Sequence, residues 1–475
     1  MPKSTSISRR QFVASTSGML FAGAVGRPRW SAAADSPSLR AAPFRSDVTP
    51  PLGFPSYPSF KPLATVEHPL LAKGVVFDDG RRRYVLCAFD WCVCSNSSRL
   101  LFQRKIAEAA ATDVDAVAVH MVHQHTAPII DADAQRILDA VDGAPPYLDL
   151  AFLDDAADRL ADAVKEAIAD LQVVDRIGTG QAKVERVASN RRIFTDDGEF
   201  HGRMSSTRGR PNLRELPEGL IDPMLKTVTL AAGDKPLARL HYYATHPQSF
   251  YGDPRVSYDF PGIAREALEQ AEGVFQVYFT GCAGDIAAGK YNDGTPEARR
   301  QLAERLLAGM KAAGAATRFV PVGPVEWRTA SVSLPPKLAS DPKEAGLFSL
   351  RGLHPEQLRS VMANPTESPN SRIGAARRIA FLNRAERPIV LSGLQLGGIY
   401  IVHLPGEPMI EFQLDAQRRR PDSFVAVAGY GEGCTNYICT AQAFKEGGYE
   451  PSASSVGPES EQLLKTGIGS VLGLG

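Results

Sequence analysis

The 475-residue sequence is short of several things, and each shortage removes a class of function. It has no surplus of charge: 53 Lys and Arg residues balance 53 Asp and Glu. No overall field draws the chain to nucleic acid or to an anionic membrane surface, and neither is expected as a partner. It has no long apolar run beyond the first 34 residues, so the mature chain is expected to contain no transmembrane segment. It has six cysteines and no paired CxxC. Cys87, Cys92 and Cys94 cluster, as do Cys434 and Cys439, and with Cys282 they leave disulfides or a zinc site open. Buried small apolar side chains are the simpler expectation. Internal repeats are also missing, which sets aside solenoids and propellers.

What is present is ordinary for a globular chain with a sizeable core: 44% hydrophobic and 22% charged residues. The first 34 residues stand apart. "SISRRQFVASTSGMLFAGAVG" sets Arg9 and Arg10 before a short, weakly apolar stretch, and "SAAADS" offers a small-residue cleavage point after Ala34. This reads as a twin-arginine export signal, with a mature domain over 35–475 that is periplasmic or extracellular. That route carries folded proteins, often ones already loaded with a cofactor, so a metal is a natural expectation.

Hydrophobic periodicity organises the remainder. "LLAKGVVFDDGRRRYVLCAFDW" reads as a hairpin, "SNSSRLLFQRKIAEAAA" as a helix, and "VDAVAVHMVHQH" as a strand apolar on both faces. A long amphipathic helix follows in "PYLDLAFLDDAADRLADAVKEAIADL". Then come the strands "LKTVTLAAG" and "PLARLHYYATH", the helix "PGIAREALEQA", the strand "VFQVYFTGCAG" and the helix "TPEARRQLAERLLAGMKAA". Residues 316–386 are less regular and are expected to form a cap or lateral subdomain. Beyond them "IVLSGLQLGGIYIVHLPGE" returns to paired strands, followed by a helix opening at Glu407 and the strand "FVAVAGYGEG". The Ser- and Gly-rich tail after about 452 carries no clear pattern. The alternation predicts an α/β fold with a mixed β-sheet core flanked by helices.

Three of the nine histidines fall within "VHMVHQHTAP". On a strand His123 and His125 share one face and His120 takes the other. The pair closes an apolar strand, where α/β sheets build their sites, and fits either metal ligation or proton transfer. His246 in "HYYATHPQSF" lies just past another strand, before Pro247, while His241 inside that strand reads as structural. In "FTGCAGDIAAGKYNDG" glycines let backbone approach a ligand, and Asp285 is a candidate catalytic carboxylate or a turn and helix-cap aspartate. Glu407 follows Pro405 and Gly406 in "HLPGEPMIEFQ". Two histidines and a glutamate from separate strand ends make the N, N, O set of a catalytic zinc.

"VHQHTAP", "ATHP", "GCAGD", "LPGE" and "NYICTAQAFKEGGYE" occur in the order and spacing of the neutral, non-lysosomal ceramidase family. They resemble its THTHSGP-type, histidine, AGDVSPN-type, PGE and YVTT…YEG segments. The resemblance runs from about Asp47 to Ser455, the family's amidase domain, with no counterpart expected for its C-terminal immunoglobulin-like domain. It implies zinc held by His123, His246, Glu407 and Tyr437. It sets His125 facing the reacting amide, Arg191 on the substrate side (a slot Arg192 fits equally), and Tyr449 twelve residues past Tyr437. Where the family has serine in its "GDVS" segment this chain has Ala287, and Thr126 and Ala127 replace the serine and glycine after the histidine pair. The expectation is an exported zinc-dependent hydrolase that cleaves an amide with activated water, in N-acylsphingosine or a related N-acyl lipid. Hydrolysis of another acyl amide or an ester, and a non-catalytic binding protein on the same scaffold, are the alternatives.

Overall fold

One arrangement occurs three times along the chain: an antiparallel hairpin, a crossover helix, and a strand parallel to the hairpin's second strand. The computed structural model describes residues 38–58, 60–250, 254–338, 350 and 353–474. The export signal expected over 1–34 lies outside them.

In the first sheet, β1 (Arg40–Asp47) pairs with β2 (Leu71–Asp78), and β2 forms a hairpin with β3 (Arg83–Phe89). Helix α1 (Asn96–Ala110) then crosses to β4 (Val117–Met121), which runs parallel to β3. Helix α2 (Leu150–Ala169) is capped by the Asp149 carboxylate and buries Phe152, Ala156, Leu160 and Val164. The second sheet holds β5 (Arg176–Lys183), β6 (Met224–Ala232) and β7 (Lys235–Tyr243), all antiparallel. Helix α3 (Asp259–Glu272) crosses to β8 (Phe275–Thr280), parallel to β7. Helix α4 (Pro296–Ala315) opens on Thr295, whose hydroxyl accepts from Ala298 N.

The third sheet begins at β9 (Val325–Val332), so part of the irregular stretch 316–386 belongs to a sheet edge. Helix α5 (Pro369–Arg384) precedes β10 (Ile389–Leu396) and β11 (Ile399–His403). Helix α6 (Ile410–Arg419) then crosses to β12 (Phe424–Ala428), parallel to β11. The Ser- and Gly-rich tail forms a helix over Ser460–Val471, because Leu464, Ile468 and Val471 recur at helical spacing and are buried. The fold is α/β with mixed sheets and flanking helices, as the alternation predicts. The threefold recurrence leaves no repeated sequence, since each copy needs only the pattern of a buried hairpin and an amphipathic helix.

The carboxyl ends of β4, β8 and β12 meet. Met121 N donates to Tyr430 O, Gly429 N to Thr280 O, and the Thr280 hydroxyl to Val122 O at 2.7 Å. His120 joins the same junction: its Nδ1 meets Gly429 O at 2.7 Å and its Nε2 accepts Thr280 N at 3.0 Å. The loops leaving these strand ends therefore start from one rigid point, the place where open α/β sheets put their ligands. Among the described residues no helix is long and apolar enough to cross a membrane.

Candidate metal centre

His123 is brought to the site by more than a strand. The alternation over "VDAVAVHMVHQH" predicts that His123 and His125 project from one strand face, but β4 ends at Met121 and His123 has φ +75°. Its backbone N donates to Trp91 O, which bends the chain out of the ladder into a conformation that non-glycine residues rarely adopt. The anchor is the segment Asp90–Cys92. Arg265 of α3 holds the Asp90 carboxylate through two bonds of 2.8 Å, and Trp91 packs against Phe89 and Phe102. Nothing in the local sequence marks Asp90, because its partner lies 175 positions away.

The imidazoles of His123 and His246 are oriented the same way. His123 Nδ1 lies 2.7 Å from Cys92 O, and His246 Nδ1 lies 2.7 Å from Ala283 O. A carbonyl accepts, so Nδ1 carries the hydrogen and each Nε2 is left for a proton or an ion. The two Nε2 atoms are 3.1 Å apart, and Glu407 Oε2 lies 3.2 Å from both. A tetrahedral ion with N and O ligands at about 2.0–2.1 Å spaces its ligand atoms about 3.3–3.4 Å apart. The triangle has nearly that size, is buried, and is made of donors that suit zinc.

Its electrostatics ask for a cation. Burial pushes His123 down, but the Glu407 carboxylate beside it more than reverses that and lifts it to about 10. Burial likewise drives His246 down to about 3, with Arg191 adding to the effect. Against its own burial, Glu407 is held well below the usual carboxylate range by the two histidines. The three groups fit a divalent ion by number, spacing, tautomer and charge.

Glu407 does not open a helix. Glu407–Pro408 is a short strand parallel to Tyr437–Ile438, and α6 begins three residues later at Ile410. Gly406 has φ +60°, and a Cβ there would run into the Thr435 hydroxyl and Asn436 O, so the approach of these two segments requires glycine. That ladder brings Tyr437 beside the triangle, its ring parallel to that of His246 at 6.3 Å.

The triangle borders a cavity of about 380 Å³ lined by His123, His125, Glu407, Asn436, Tyr437 and Tyr449 on the side of the ion site. His125 stands edge-on to His123 with ring centres 4.9 Å apart. Burial and the two neighbouring imidazoles hold it well below the ordinary histidine range, so it is neutral at pH 7. Arg191 is buried behind this wall. Its Nη2 donates to Tyr437 Oη at 3.1 Å, and its guanidinium lies 5.4 Å from the ring centres of both Tyr437 and Tyr449. Arg192 turns away to Glu446 and Glu450.

Asp285 does not line the cavity. Its Oδ1 accepts from Ile410 N at 2.9 Å and its Oδ2 from Asn190 Nδ2 at 2.8 Å, so it caps α6 while burial and Glu411 push it up to about 7. Ala287 is buried next to His246, where the two residues form a parallel bridge. His241 stays inside β7 and bonds Thr227 and Gln276. All six cysteines are buried and free, with Cys92 Sγ 3.9 Å from His123 Nδ1.

Sequence reasoning missed Tyr430. It also has positive φ, stacks on His123 at 4.4 Å, and places its hydroxyl 3.2 Å from His246 Nδ1, so it packs both histidines from behind. The only local signal was "GYGEG", whose glycines mark a tight turn after β12.

No family model and no curated protein matches the chain. Solved structures do. A neutral ceramidase from Pseudomonas aeruginosa superimposes with a TM-score of 0.65 at 15% identity, covering 93% of this chain and 75% of that one. A ceramidase complexed with C2 gives 0.63 at 15% identity, with 92% and 75% covered. The chain therefore has a ceramidase-like fold.

Proposed function

We propose that the protein is a zinc-dependent hydrolase that cleaves the amide of an N-acyl lipid or a related N-acyl compound. The observation that carries this is the triangle of His123 Nε2, His246 Nε2 and Glu407 Oε2, 3.1–3.2 Å on each side, beside a cavity that His123 and Glu407 line. These three residues would hold the ion, with Tyr437 beside them as the fourth ligand that the family resemblance implies. The chemistry such an ion supplies is Lewis acidity toward water and toward a carbonyl oxygen.

The chain's own groups do the rest. His125, neutral and at the cavity wall, takes a proton from water and returns one to the leaving amine. Tyr449, also in the cavity lining, donates to the carbonyl oxygen as it gains negative charge. Arg191 positions Tyr437 through the hydroxyl and, lying over both rings, fixes the pair. Asp285 acts at one remove, by holding the start of α6 close behind Glu407. Helix α5, which forms one wall of the cavity, is the part of 316–386 that serves as a cap. Export by the twin-arginine route, with loading before export, completes the reading.

The two solved ceramidases that share the fold support an N-acylsphingosine-type substrate. Ala287, in place of the family's serine, favours a second reading in which another acyl amide or an ester is cleaved at the same centre. One experiment tests both: count the metal in purified protein, then compare release of product from ceramide, an N-acyl amino acid and a simple ester, with and without chelator. About one zinc per chain and chelator-sensitive hydrolysis are expected. Metal-free protein of undiminished activity sinks the proposal.

A further inference from the structure

We infer that the amide cleaved here carries a carboxylate, held by Arg377 on the α5 wall of the cavity. This rests on the reading of the site as an amide hydrolase and names the substrate class it takes.

The lining of the cavity contains two formally charged side chains, Glu407 and Arg377. Glu407 belongs to the ion site, and an ion bound there adds positive charge. No second carboxylate among the described lining residues answers Arg377. Nor is its guanidinium engaged: among the described residues no hydrogen bond or ion pair ties it down, and its Nε is buried without a partner. The carboxylate whose field reaches it is Asp131, but Asp131 Oδ2 accepts from Asn96 Nδ2 at 2.9 Å and Oδ1 from Ala134 N at 3.2 Å. Those bonds hold Asp131 at the start of another helix and leave Arg377 free to bind from the cavity.

Arg377 is half-buried in the cavity wall with its Nε sealed off and unpartnered, and its planar fork matches a carboxylate presented from the cavity. Ser371 and Asn370, on the first turn of α5, add polar groups to the same wall. The cavity, about 380 Å³, is at the small end of the ~300–1,000 Å³ range of small-molecule sites. It suits the reacting amide and a compact charged group better than two long chains. The amine half of an N-acyl amino acid has this form: an amide nitrogen with a carboxylate one carbon away.

The test uses the zinc-loaded mature protein with N-octanoylglycine and its neutral counterpart N-octanoylglycinamide. The acid should be cleaved with a kcat/KM about 10- to 100-fold higher, the range of a charge-assisted hydrogen bond. Arg377→Gln should raise KM for the acid, erase that preference, and leave metal content and glycinamide cleavage unchanged, while Arg377→Lys should recover part of it. Equal or better cleavage of the glycinamide overturns the inference, as does an equal loss on both substrates in Arg377→Gln. If neither amide is cleaved, the hydrolase reading fails separately, and calorimetric titration of N-octanoylglycine still decides. Binding that depends on Arg377 supports the carboxylate site, and no binding overturns it.

Discussion

Strands β4 and β7 each carry one histidine inside the ladder and lead to another just beyond it, and the two pairs have opposite fates. His120 and His241 engage both ring nitrogens with fixed partners: Gly429 O and Thr280 N for the first, Thr227 and Gln276 for the second. His123 and His246 fix Nδ1 on a backbone carbonyl and turn Nε2 toward a point shared with the other imidazole and Glu407. All four are buried to within a few per cent. Burial and residue type therefore say nothing about which histidine is a ligand. The second nitrogen separates them, because two buried Nε2 atoms and a carboxylate oxygen this close need a positive charge among them, from a proton or a metal ion.

The sharpest way to break that comparison is to delete one histidine of each kind. His123→Ala should lose the metal, measured by elemental analysis, and lower hydrolysis by at least about 1,000-fold, since the ion's contribution to water activation disappears with it. His120→Ala should destabilise the junction of the three sheets yet keep about one ion per chain. Equal metal loss in both variants would make the distinction between interior and tip histidines worthless.

A smaller effect is expected at His125, which shares the cavity but not the triangle. His125→Ala should retain the ion and lower kcat by about 100- to 10,000-fold, the range of a lost general acid–base group. Retained metal with a lowered kcat and little change in KM would separate it from His123. Loss of metal in His125→Ala would place it among the ligands instead.

How much of this was legible in the sequence follows from the range of the forces involved. The hairpins, crossover helices and apolar strands were readable because each depends on spacing within some twenty residues, as in α2 or α4. The ligand candidates were readable because strand ends followed by Pro or Gly are local signals, and His246 and Glu407 lie at such ends. The strand face assigned to His123 was not, because its turn is imposed by Asp90–Cys92, which is itself held by Arg265 on another element. Tyr430 was missed for a related reason: its role is to fill space behind two histidines more than 180 positions away. Asp285 had two local readings, and its bonds to Ile410 and Asn190 follow the cap reading through a helix far from it in sequence.

The smallest effect on activity, and the most specific test of the comparison, lies at His241. Burial drives it down to about 4, and the bond it donates to Gln276 Oε1 only partly offsets that. The folded chain thus binds fewer protons here than the unfolded chain, whose histidine titrates near 6.5. The sign is fixed: stability is fully present above about 6.5 and is lost as pH falls toward 4, on the order of 3 kcal/mol if the whole shift is realised. His403, driven by burial to about 3, adds a loss of the same sign. His241→Asn in the zinc-loaded protein should leave hydrolysis within about threefold, because nothing connects His241 to the ion. It should also make urea-unfolding stability fall less steeply between pH 6.5 and 4, with the remaining slope coming from the other buried imidazoles, His120 and His403 among them. Parallel stability curves for wild type and variant would show that His241 is not the buried neutral imidazole its partners imply. A large loss of activity would mean that the interior of β7 reaches the metal centre after all, and the interior and tip histidines would have to be treated as one network.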